Sequence, residues 1–83
     1  MYKVYIVYSK RTDRYYTGST EDLENRLIEH NSGETKSIKP GIPWQIVHTE
    51  EFPTRPEAVK REKQIKARGA GRYLLELTTK QHG

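Results

Sequence analysis

The 83-residue chain contains no cysteine, one methionine, one tryptophan and one phenylalanine. Without cysteine there is no disulfide framework and no thiolate metal site, which suits a reducing compartment. Hydrophobic residues make up only 33% of the chain, and its mean hydropathy is -0.98. No run approaches the ~20 apolar residues of a membrane helix. The opening MYKVYIVYSK holds too short an apolar stretch for a secretory leader, and no small-residue cleavage pattern follows it. The cytoplasm is therefore the expected location. Internal repeats, low-complexity segments and linkers are also missing. A chain this short makes one small domain, residues 1–83, with a marginal core. Polar residues on inward faces are costly in such a core and need a reason.

Charge is what the chain has in quantity. Fifteen Lys and Arg stand against 11 Asp and Glu, a net charge of +4 and a pI near 9.4. That balance is compatible with nucleic acid as a partner and, equally, with a solvated basic surface.

The coarse pattern predicts β-β-α-β-α-α. Residues 2–8, YKVYIVY, are β-branched and aromatic and read as a strand, with Val4 and Ile6 on one face and Tyr5 and Val7 on the other. RYYTG at 14–18 completes a hairpin that Gly18 ends. Ser19 or Thr20 is the expected N-cap of a helix over DLENRLIEHN, stopped by Gly33. Residues 34–43 carry Pro40, Gly41 and Pro43 and read as a loop. WQIVHTEEF is a third strand of mixed pattern, expected to be covered on both faces. Thr54 and Glu57 fit a capping box for a helix running to about Arg68. Gly69-Ala70-Gly71 breaks it, and RYLLELTTK is a third helix whose leucines are expected to close the core. The fold class is α/β of the α+β kind: a three-stranded antiparallel sheet flanked by helices.

Polar residues fall where apolar ones are expected. In the second helix Ala58, Glu62 and Ile65 share one stripe at i, i+4 and i+7. In the first, with Leu23 at zero and about 100° per residue, Leu27 falls near +40°, His30 near -20° and Arg26 near -60°. His30 thus lies in the leucine stripe and Arg26 borders it. If Tyr5 and Tyr16 pair across the hairpin, both phenols leave one face of the sheet; Tyr5, out of phase with Val4 and Ile6, need not be core. The economical arrangement gathers Tyr5, Tyr16, Arg26, His30 and Glu62 in one polar pocket. Each residue also has a bland account. Tyrosines are good strand formers, Arg26 can pair with Asp22, and Glu62 can bridge to Lys66.

No Ser-His-Asp, zinc or phosphate-loop spacing is present, and His48 and His82 have no partner pattern. One carboxylate, one guanidinium, one imidazole and two phenols suit attack on a phosphodiester. Glu62 can hold one mostly hydrated divalent cation of the Mg²⁺ type. Arg26 can fork onto phosphate oxygens. A tyrosine or His30 can orient or deprotonate water. Lys36, Lys39, Arg55 and Lys60 are candidate contacts to a nucleic-acid backbone.

KVY at 3–5, YTG at 16–18, DLENRLIEH at 22–30 and EAVKREKQIK at 57–66 resemble a GIY-YIG nuclease domain over nearly the whole chain. The later run also resembles the family's small stand-alone bacterial branch. The resemblance implies a metal-dependent endonuclease, with Mg²⁺ or Mn²⁺ as cofactor and DNA as substrate, branched or damaged structures in repair or recombination included. Tyr5 and Tyr16 match the signature tyrosines, either a candidate base. Arg26 matches the phosphate-contacting arginine, His30 a position held by His or Tyr, and Glu62 the metal ligand. Lys3-Val4 replaces Gly-Ile, Thr17 replaces Ile, and Ser19 stands where some members carry lysine. Family members with known targets carry a separate DNA-reading domain; none is seen here, so a protein partner supplying specificity is expected. The competing function is a nucleic-acid-binding or partner-recruited module without turnover.

Overall fold

The computed structural model describes residues 1–82, with side chains through Thr78; the His82 side chain lies outside the described residues. The elements are β1 (Tyr2–Ser9), β2 (Arg14–Thr20), α1 (Leu23–Ser32), a 3-10 turn (Lys39–Gly41), β3 (Trp44–Phe52), α2 (Arg55–Arg68) and α3 (Ala70–His82). They form a three-stranded antiparallel sheet in the order β2-β1-β3 with three α-helices, the α+β fold and element order that the sequence predicts.

β1 is central, and four consecutive residues, Val4 to Val7, are buried. Such a run is what a strand covered on both faces looks like. Val4 and Ile6 pack on Ala58 and Ile65 of α2, joined by Ala70, Tyr73 and Leu74 of α3. Tyr5 and Val7 pack on the other face with Ile38, Trp44 and the α1 leucines Leu23 and Leu27. The expectation that Tyr5 need not be core is therefore corrected. At 1% exposure it is one of the most deeply buried side chains, because α1 seals the face that strand phase left open.

The hairpin register differs from the expected pairing. Tyr5 lies opposite Gly18, and Tyr16 opposite Val7. Two residues along a strand return to the same face, so both phenols still share it. β2 also runs past Gly18 to Thr20. The α1 cap is accordingly later than predicted: the Asp22 carboxylate accepts from Asn25 N–H, and the Thr20 hydroxyl accepts from Asp22 N–H. Gly33 ends α1 at φ 86 and Gly69 ends α2 at φ 93, a sign of φ that costs glycine nothing. Thr54 caps α2 by accepting from Glu57 N–H, as the sequence predicts. α3 begins directly after Gly69, earlier than the predicted Arg72.

β3 is less covered than expected. Trp44 is buried but Ile46 and Val47 are exposed, because β3 is an edge strand and the helices reach only part of it. Its register shifts where Ile6 pairs with His48 and Val7 with Ile46, leaving Val47 as the extra residue of a bulge. The third-helix leucines are similarly divided: Leu74 packs on the core and Leu75 is exposed.

A polar network ties β3 to both later helices. The Glu50 carboxylate accepts from Arg61 Nε at 2.8 Å and from the Tyr73 hydroxyl, and His48 Nε2 lies 2.7 Å from it. His48 therefore has a partner after all, two residues along the same face of its strand. Burial alone raises the Glu50 pKa; the bonds from Tyr73, His48 and Arg61 outweigh it and leave the carboxyl below its ordinary value.

Gly18 is fixed by space. A Cβ there would stand 2.5 Å from the Tyr5 hydroxyl oxygen and 2.7 Å from Cζ. Gly18→Ala is expected to destabilise the fold by about 1–3 kcal/mol, as overpacking does. Ile28→Ala on the exposed face of α1 should change stability by about 0.5 kcal/mol or less. Urea unfolding of both variants tests the contrast, and equal midpoints would remove the Tyr5–Gly18 contact from the account.

Candidate active site

The ring of Tyr5 crosses over Gly18, carrying its hydroxyl to the β2 edge of the sheet. There the oxygen meets His30 Nε2 at 2.8 Å. His30 is placed by α1, on the face that also carries Leu23 and Leu27, and is buried. Its ring stands edge-on to Tyr16, with centroids 5.0 Å apart. Arg26, one turn earlier on α1, is half-buried. Its Nε lies 3.4 Å from Glu29 Oε2; Asp22, the partner weighed from the sequence, instead caps the helix.

Glu62 comes from the other side of the sheet. It extends from α2 toward β2, where the Ser19 hydroxyl donates to Oε1 at 2.6 Å and Lys66 Nζ donates to Oε2 at 2.7 Å. Ser19 pairs with Val4 and so points to the α2 face, while Tyr5 and Tyr16 point to the α1 face. The two halves meet around the edge of β2, at the one residue without a side chain.

Electrostatics join the halves. The Tyr5 pKa is pushed up to about 12, first by burial and then by Tyr16; Glu62 adds to the rise and Arg26 opposes it. One hydroxyl therefore touches His30 and feels the other three predicted residues. At neutral pH it is a neutral phenol. The His30 pKa is lowered, first by burial and then by the Arg26 charge, with Glu29 opposing, so the imidazole is neutral too. Its Nδ1 is buried and has no hydrogen-bond partner among the described residues. For Glu62, burial raises the pKa, but hydrogen bonds from Lys66 and Ser19 and the charges of Lys66 and Lys63 outweigh it. The net result is a carboxyl below its ordinary value, ionised at neutral pH.

The four predicted backbone contacts separate. Arg55 lines a recess of about 340 Å³ with Arg26, Ser19 and Tyr2, on the same side as the five-residue cluster. Lys60 lines a different recess, of about 370 Å³, with Glu50 and Arg61. Lys36, before the 3-10 turn, and Lys39, its first residue, are both exposed. A further concavity, about 610 Å³ between α2 and α3, is lined by none of the predicted residues.

A divalent cation can be tested against these donors. Among the described residues no three His, Cys, Asp or Glu side chains gather as a cage. One ionised, partly exposed carboxylate already facing a cation, Lys66, fits a hard, mostly hydrated ion held by a single protein ligand.

Ser19 is the participant that sequence reasoning missed. From the sequence it is a candidate helix cap and a departure from a lysine-bearing pattern. The available signal was strand parity: once β2 passes Gly18, residue 19 must point to the face that α2 covers.

The arrangement is a phenol–imidazole pair backed by an arginine, with a carboxylate across the strand edge. Residues 1–73 match the family described as the GIY-YIG catalytic domain; the chain belongs to that family, a nuclease superfamily. UPF0213 protein SSP2268 of Staphylococcus saprophyticus is 46% identical over 64 residues, covering 76% of this chain and 77% of the relative. UPF0213 protein VNG_2274C of Halobacterium salinarum is 39% identical over 67 residues, covering 80% and 86% respectively. No solved structure matches the chain.

His30 supplies a pH-dependence whose sign is fixed. Its pKa is lower in the fold than the ordinary 6.5, so the unfolded chain binds more protons between those values. Stability is therefore lost as pH falls below about 6.5 toward the folded pKa, and the penalty is absent above that range. The lowered carboxyls of Glu50 and Glu62 act in a separate window below 4.5. An NMR titration of the His30 ring is expected to give a midpoint below about 6.5; a midpoint at or above it would contradict the buried, Arg26-flanked placement.

Proposed function

We propose that this chain is a divalent-metal-dependent endonuclease that hydrolyses phosphodiester bonds, with DNA as its substrate. It acts in the cytoplasm on branched or damaged structures in repair or recombination, with a protein partner supplying target choice. The observation that carries the reading is the Tyr5 hydroxyl: bonded to His30, it lies within electrostatic reach of Tyr16, Arg26 and Glu62.

In this reading Arg26 binds the non-bridging oxygens of the scissile phosphate, where its planar fork and permanent charge are most useful. Arg55, sharing its recess, is the preferred contact to a neighbouring phosphate. Tyr16 is the phenol that faces water, because Tyr5 is covered and held protonated. Tyr5 and His30 stand behind it as a hydrogen-bonded pair, and the neutral imidazole is the group able to accept a proton. Glu62 holds the Mg²⁺ or Mn²⁺, which when bound supplies positive charge to stabilise the leaving oxygen. Ser19 fixes the carboxylate that holds it.

The same covering of Tyr5 and His30 favours the second reading, a module that binds nucleic acid without cutting it. An assay on branched, nicked and single-stranded DNA with Mg²⁺ or Mn²⁺ separates the two. Cleavage is expected to need metal and to fall by about 10²-fold or more in Glu62→Ala and Arg26→Ala. Tyr16→Phe is expected to fall by at least about 10²-fold as well. Binding without cutting in any metal would leave the module; neither activity would leave a domain recruited through a partner.

A further inference from the structure

We propose that Lys66 is a resident counter-cation of this site: its ammonium occupies the Glu62 oxygen that a divalent ion takes, and it must leave before the ion enters. The proposal rests on the reading of Glu62 as the metal ligand.

The two oxygens of Glu62 are held differently. Oε1 takes its hydrogen bond from Ser19, a strand residue of β2 with a short side chain. Oε2 takes its bond from Lys66, one helical turn further along α2. The Lys66 side chain is 51% exposed and Glu62 only 19%. Lysine is a compact point charge on a flexible four-carbon stem, able to swing into water. Serine on a paired strand has no such freedom. One oxygen is therefore held fast and the other is held replaceably.

A carboxylate only 19% exposed is costly to keep ionised with neither metal nor ammonium beside it. Lys66 offsets part of that cost in the metal-free protein, while Ser19 holds the orientation of the acid. The consequence is competition. A dication arriving at Oε2 must displace an ammonium already 2.7 Å away, so Lys66 weakens metal binding while keeping the ligand in place. An i,i+4 pair on a helix contributes little to stability, so removing Lys66 leaves the fold intact. Lys63 provides an internal comparison. It acts on the Glu62 charge without a hydrogen bond to the carboxylate.

The test is Mn²⁺ binding to the full chain without nucleic acid, followed by the loss of the free-ion electron paramagnetic resonance signal. Lys66→Met is expected to bind Mn²⁺ about five- to tenfold more tightly than the natural chain, the scale of one displaced contact charge. Lys66→Gln should move in the same direction and Lys63→Met by much less. Ser19→Ala should bind about tenfold more weakly, since it loses the fixed orientation. Binding lost in Glu62→Ala but unchanged or weaker in Lys66→Met would overturn the proposal. So would an equal gain in Lys63→Met, which would mean general charge and not occupancy. Mn²⁺ binding that survives Glu62→Ala would instead overturn the metal-ligand reading beneath it.

Discussion

Tyr5 can lie where it does only because residue 18 has no side chain. The contact is a hairpin detail with consequences in three directions. It lets a central-strand aromatic cross a neighbouring strand in place of standing on it. The ring then fills the α1 face of the sheet, joining Val7, Ile38 and Trp44. It also delivers a hydroxyl to the strand edge, 2.8 Å from His30. Core packing, helix docking and site geometry are thus one contact seen from three sides. Glycine at 18 is tied to tyrosine at 5 by sterics, whatever the chemistry nearby.

A chain so poor in apolar residues needs polar groups to finish what burial begins, and α2 shows how. Ala58 and Ile65 make its core stripe. Neighbouring residues flank the stripe and diverge. Arg61 turns toward β3 and α3, completing the network around Glu50. Glu62 turns toward β2 and Ser19. Each side ends in one half-buried carboxylate with a cation beside it. The Glu50 side is closed: three side chains on three elements satisfy it, and it reads as structural. The Glu62 side is open, since one of its two partners is a solvent-exposed lysine. Two carboxylates flanking one helix thereby differ in what they can do next, and the difference lies in their partners.

Much of this was legible in the sequence. The element order, the β3 bounds, the Thr54 cap and the inward phases of His30 and Glu62 followed from period and capping chemistry, which are local rules. What escaped was non-local. The hairpin register depends on a four-residue turn, so Tyr5 came to face Gly18 instead of Tyr16. Strand parity put Tyr5 on a free face, and only the docking of α1 made that face interior. His48 found Glu50 because i and i+2 share a strand face, a relation that helix-based pairing rules overlook. The four basic candidates could not be told apart by charge alone; it is the fold that sets Arg55 in a recess with Arg26.

The cluster divides into a covered half and an open half. Tyr5 and His30 lie beneath the surface, where weak solvation strengthens a hydrogen bond but holds both groups neutral. Tyr16, Arg26 and Glu62 reach solvent, where a phosphate, a water and a cation can arrive. In the proposed reading the exposed residues are the ones that meet reactants, and the buried pair fixes and tunes them. A phenol held up to about 12 stays protonated at neutral pH and is unsuited to take the first proton from water; its hydroxyl is instead bonded to the His30 imidazole. In that reading the chemistry falls to the more exposed members. The signature tyrosine of β1 contributes mainly as the piece of core on which the others are aligned.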